Sequence, residues 1–97
     1  MKKGYWIITF RSVSDPAKLT AYIELAGPVL AAAGVRYIAR GMPAKVCEAG
    51  VPERTVVLEF ESLAKATAVY ESAEYQRSVE ALGDGAERDV RIIEAFD

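Results

Sequence analysis

The chain has no histidine, no asparagine and a single cysteine, and these gaps exclude more chemistry than any motif in it adds. Without imidazole there is no Ser-His-Asp or Cys-His triad, no histidine-held haem and no His-based zinc site. The lone thiol, Cys47, closes no internal disulfide and builds no four-cysteine cluster. The absence of asparagine excludes N-glycosylation. No run approaches the roughly 18 apolar residues of a membrane helix, so no membrane partner is expected. Neither sign of charge dominates: 12 Lys plus Arg against 14 Asp plus Glu leave a net charge of −2, which gives no electrostatic reason to seek nucleic acid or anionic lipid. The unpaired Cys47 fits a reducing compartment, and the expected location is the cytoplasm.

What is present is ordinary globular material, 52% hydrophobic and 27% charged over 97 residues. Surface scaling gives such a chain a folded area of roughly 5,500 Å², enough for one small domain over the whole of 1–97. The apolar share is slightly high for so small a core. The opening Met1-Lys2-Lys3 before apolar residues looks like a signal peptide, but the apolar stretch ends at Arg11 without a small-residue cleavage pattern. It reads as a strand.

Residues 4 to 11 alternate Tyr5, Ile7 and Thr9 against Trp6, Ile8 and Phe10, all favourable in a strand. Ser12 to Asp15 reads as a turn, and Asp15-Pro16 as the capped start of a helix. Its apolar stripe runs from Leu19 through Tyr22, Ile23, Ala26 and Leu30 to Ala33, and Gly34 closes it. Gly27-Pro28 predicts a kink or a two-piece helix. A second strand is expected over Val35 to Arg40, a third over Arg54 to Glu61 and a fourth over Val90 to Phe96, with Ala44 to Glu53 a long loop or an extended edge. Ser62 caps a second helix, and Ser72 caps a further segment from Ala73 to Leu82.

This order is βαββαβ, and right-handed crossovers make it a ferredoxin-like α+β sandwich: a four-stranded antiparallel sheet with its helices on one face. Helices on one face leave the other uncovered, yet the first strand is apolar on both faces, Val57 opposes Val56 and Leu58, and Ile93 adjoins Ile92. A second copy of the chain is the economical cover, giving a homodimer with sheets packed face to face; the alternative is a monomer with a partly apolar outer face. The same element order serves RNA-recognition modules, but Arg54-Thr55-Val56-Val57-Leu58 lacks their stacking aromatics, so no nucleic-acid partner is expected. No Gly-rich dinucleotide or phosphate loop occurs, and no cofactor is expected.

Glu59 interrupts the apolar third strand on the face of Thr55 and Val57, where a carboxylate can act as a general base or simply pair with Arg40 or Arg11. Arg40, ending its strand, can clamp a substrate carboxylate. Tyr70 and Tyr75 flank the helix-to-helix break, and Tyr5 and Tyr22 add further phenols; together they can line a pocket or serve as core residues with hydroxyls at the surface. The expected site therefore takes Glu59 and Tyr75 as catalytic residues and Arg40, Tyr70, Tyr5 and Tyr22 as substrate-binding residues, with no metal. Its pocket is expected beneath the kinked first helix or at the helix-to-helix junction. Cys47 lacks an activating partner beyond Lys45.

Gly4-Tyr5-Trp6-Ile7, Arg40-Gly41, Glu53-Arg54 with the strand that follows, and above all Tyr70-Glu71-Ser72-Ala73-Glu74-Tyr75-Gln76 resemble the bacterial domain-of-unknown-function family thirteen-thirty, over nearly the whole chain. Met42, Glu61 and Gly83 depart from the family pattern. The resemblance implies a dimeric α+β barrel, in the superfamily of small antibiotic-biosynthesis-type monooxygenases and muconolactone-isomerase-like proteins. It implies either a cofactor-independent small-molecule enzyme or binder, or a non-catalytic homodimeric module.

Overall fold

Alternation along the first strand decides how the molecule is layered. Trp6, Ile8 and Phe10 are buried on one face, while Tyr5 and Ile7 are half-buried and Thr9 exposed on the other. In the computed structural model, which describes residues 1–97, this strand is β1 (Gly4–Val13), followed by α1 (Pro16–Ala32), β2 (Arg36–Gly41), β3 (Thr55–Phe60), α2 (Leu63–Glu71), α3 (Ala73–Leu82) and β4 (Ala86–Glu94). The strands form one antiparallel sheet in the order β2-β3-β1-β4. With the three helices over the Trp6 face, the architecture is ferredoxin-like, as the element order predicts.

Register carries the apolar face across the sheet. Trp6 lies between Leu58 and Ile92, and Ile8 between Val56 and Val90. These side chains meet Tyr22, Ala26 and Leu30 of α1, Ala66 and Val69 of α2, and Tyr75 and Leu82 of α3 in one core. None of the helices is long and apolar enough to cross a membrane.

Local chemistry places the helix ends where the sequence puts them. The Asp15 carboxylate accepts from Ala17 N at 3.1 Å, with Pro16 opening α1, and Gly34 leaves it at φ +72°. Ser62 Oγ accepts from Lys65 N at 3.1 Å. Ser72 serves two helices at once: its hydroxyl donates to Val69 O at 2.7 Å, closing α2, and accepts from Tyr75 N at 3.2 Å, opening α3. Ser72→Ala is expected to cost about 1 kcal/mol of stability, at the middle of the range for lost N-caps, read as a lower midpoint in urea.

Two open alternatives are narrowed and one boundary differs from the sequence reading. The first helix is one element rather than two pieces despite Pro28, because only the bond to Glu24 is lost while Tyr22, Ala26 and Leu30 stay anchored in the core on both sides of it. The segment before β3 is the expected long loop rather than an extended edge. The fourth strand starts at Ala86 rather than Val90, and β1 runs on to Val13 through a bulge between Phe10 and Ser12 to pair with it. The charged run Glu87-Arg88-Asp89 reads locally as loop. Across the sheet, however, Arg11 approaches Asp89 at 3.5 Å and Glu87 at 3.9 Å, so the acids are matched in strand form.

Candidate functional site

Beneath α1, on the side of the sheet where β3 and β2 lie, the core is not filled. Ile8 and Phe10 of β1 and Val56 and Leu58 of β3 form the floor, while Tyr22, Ala26 and Gly27 of α1 form the roof. Small residues at 26 and 27 leave the space open: a Cβ added at Gly27 meets no atom within 4 Å. The cavity has a volume of about 60 Å³, and about 480 Å³ of free space when its open mouth is counted. It has room for several waters or the head of a small ligand.

The charged groups lining this cavity are Arg40, Arg54 and Arg88, and no carboxylate lines it. None of the three takes part in the chain's ion pairs, although the protein as a whole carries a net charge of −2. Arg40 stacks on Tyr37 near the rim, its guanidinium carbon 4.6 Å from the ring centroid. Arg88 is deeper. It sits opposite Phe10 in the register and lays its guanidinium over the Tyr22 ring at 4.6 Å. Its Nη1 is buried without a hydrogen-bond partner. Burial works against the Arg88 charge, but the phenol oxygens of Tyr22 and Tyr75 more than offset it, and the group stays a cation.

Tyr22 and Tyr75 share a buried hydrogen bond, oxygen to oxygen at 2.6 Å. Burial, and then the neighbouring Tyr22, push the Tyr75 phenol far above the usual tyrosine range. Tyr75 is therefore a permanent proton carrier at neutral pH, suited to donating a hydrogen bond rather than accepting a proton. When Tyr75 donates to Tyr22, the Tyr22 proton is left to serve the cavity that its ring lines.

The expected site residues divide between two faces of the sheet. Arg40 and Tyr22 line the cavity, Tyr75 stands directly behind Tyr22, and Tyr70 packs behind Tyr75 at 5.3 Å and against Trp6 at 5.6 Å without reaching the cavity. Glu59 and Tyr5 lie on the opposite face. There Tyr5 Oη donates to Glu59 Oε2 at 2.9 Å, which raises the tyrosine pKa, and Arg36 approaches Glu59 Oε1 at 3.9 Å. The expected convergence of Glu59 with Tyr70, Tyr75 and Arg40 is thus corrected. Residues 58 and 59 alternate across the sheet, and Leu58 takes the core side. The expected partners of Glu59, Arg40 or Arg11, are likewise replaced by Arg36.

Arg88 is the residue that sequence reasoning misses, because Glu87-Arg88-Asp89 reads locally as loop. The period-two series Ala86, Arg88, Val90, Ile92 was the available signal, and it places Arg88 on the core face.

A model of the family described as domain of unknown function (DUF1330) matches residues 3–96. No curated protein matches the sequence. Among solved structures, a protein of unknown function from Rhodopseudomonas palustris superposes with a TM-score of 0.72 at 13% identity, covering 99% of this chain and 84% of its own. A dimeric ferredoxin-like protein of unknown function from Thermobifida fusca gives 0.67 at 16% identity, covering 97% and 92%. SnoaB, a cofactor-independent oxygenase from Streptomyces nogalater, gives 0.66 at 9% identity, covering 100% and 96%. At these identities the likeness is one of fold.

Proposed function

We propose that this chain, which belongs to the DUF1330 family, is a cytoplasmic homodimer that binds a small, mostly apolar molecule in the cavity beneath α1 and acts on it without a cofactor. One observation carries the reading: an open apolar cavity whose charged lining groups are all arginines lies against the buried Tyr22–Tyr75 pair. Hydrogen-bond donors and fixed positive charge in a dry site stabilise negative charge as it develops on a ligand oxygen, and they need no metal or nucleotide to do so. The fold shared with a cofactor-independent oxygenase supports chemistry driven by the ligand's own reactivity. Tyr22, Tyr75, Arg40 and Arg88 are the residues assigned to the site. Glu59 and Tyr5 are assigned to the outer face of the sheet.

Dimerisation is supported by shape. The molecule is a slab of 37 × 32 × 16 Å with 6138 Å² of accessible surface. A self-contained chain of this mass exposes about 5,500 Å². The excess fits a sheet face meant for a partner, and the Thermobifida relative of the same fold is described as dimeric.

Gly27→Leu tests the cavity. The side chain enters free space and leucine is the better helix former, so the unliganded variant should gain up to about 1 kcal/mol. In a thermal-shift screen of small aromatic and branched aliphatic molecules, hits on the wild type should lose their shift in this variant. Hits that persist undiminished would place binding elsewhere and remove the proposed site.

A further inference from the structure

Arg88 Nη1 is buried without a hydrogen-bond partner, and beyond the phenol oxygens of Tyr22 and Tyr75 no carboxylate faces the guanidinium. The neighbouring carboxylates on β4, Glu87 and Asp89, alternate to the other face, where Arg11 takes both and Arg91 also binds Asp89 at 3.1 Å. A water in the cavity fills a donor but leaves the charge uncompensated. The Tyr22 ring holds the planar group from one side at 4.6 Å and fixes the direction of its fork. Arg40 and Arg54 add two more cations to a lining otherwise apolar.

We propose, resting on the small-molecule reading above, that the ligand is an organic acid: a compact apolar body in the cavity with its carboxylate at the Arg88 guanidinium, which lines it, and within the field of Arg40 and Arg54. The guanidinium fork suits a planar two-oxygen acceptor, and the Tyr22–Tyr75 pair adds a neutral donor beside it. The three arginines then divide the work. Arg40 and Arg54 attract the anion to the cavity, and Arg88, deeper and oriented, holds it.

The test uses matched pairs that differ in charge alone: benzoate with benzamide, and 3-methylbutanoate with 3-methylbutanamide, titrated calorimetrically into the full chain. Each acid should bind at least about tenfold more tightly than its amide, the margin of a charge-assisted bond, and only the acid should weaken as salt rises. Arg88→Met keeps a stem over Tyr22 and removes the fork, so the acid should lose far more affinity than the amide and the preference should collapse towards one. The melting temperature of the unliganded variant should change little, since the desolvation of the buried charge is lost together with its contacts to Tyr22 and Tyr75. Should that variant fail to fold, the salt dependence of the wild-type pairs decides. Equal binding of acid and amide, or a preference that survives Arg88→Met, overturns the acid proposal and leaves the cavity reading standing. Binding of neither member of either pair sinks both.

Discussion

Trp6→Ala is expected to lower the unfolding free energy by about 3–5 kcal/mol, measured as a fall in the urea midpoint, with much of the chain unfolded before denaturant is added. Trp6, near the start of β1, is fully buried, with the Phe60 and Tyr75 rings each at 4.8 Å and Tyr70 at 5.6 Å. Its indole also donates to Ala66 O at 2.9 Å, tying the sheet to α2. Alanine removes that ring cluster's hub and one buried hydrogen bond together. A domain this small has a stability near the low end of about 5–15 kcal/mol, so the loss is a large share of it. Trp6→Phe keeps most of the apolar area and forfeits the Ala66 bond, and about 1–3 kcal/mol is expected there. The consequence reaches the cavity. Tyr75 packs on Trp6 while its hydroxyl holds Tyr22, so loosening the hub loosens the phenol pair behind the site.

The parts of the fold written in local chemistry were legible in the sequence. Asp15-Pro16, Ser62, Ser72 and Gly34 mark helix ends because capping depends on a few adjacent atoms. The alternation of β1 gives both of its faces for the same reason. What was hidden depends on partners far along the chain. Arg36 and Arg40 are four residues apart, which in an unbroken strand puts them on one face. The irregularity between Tyr37 and Ala39 shifts the register, so Arg36 pairs with Glu59 on the outer face and Arg40 with Val56 on the inner one. No local pattern marks that bulge. Arg88 was hidden similarly: three consecutive charged residues favour a loop until Arg11, some seventy-six residues earlier, supplies the cross-strand cation that lets them sit in β4. Of the expected site residues, Arg40 and Tyr22 line the cavity and Tyr75 stands behind Tyr22, whose helix position follows from the apolar stripe of α1. Their grouping with Glu59 failed because adjacent strand residues take opposite faces.

Val57→Glu is expected to convert the protein from a particle of about twice 10.6 kDa to one of 10.6 kDa in light scattering at micromolar concentration. Val57 lies in the middle of the outer face, beside Ile7 in the register and with Ala39 on its other side, and Ile93 at 56% exposure continues the apolar area on β4. A two-fold interface presents each residue twice, so one substitution brings two carboxylates into a desolvated contact and weakens association by about 100-fold or more. Ile93→Glu should act in the same direction, less strongly if its position is nearer the edge of the contact. A wild-type chain that scatters as a monomer would remove the basis for covering this face with a second copy. Arg88→Met alters only the helix side of the sheet and should leave the dimer intact, which makes it the control for specificity of face. The reverse comparison decides how the two faces are related. The lining of the cavity belongs to one chain, so a folded, monomeric Val57→Glu protein should still bind benzoate. If binding instead disappears with the dimer, the partner completes the site or holds its walls in place, and the cavity beneath α1 is only half of it.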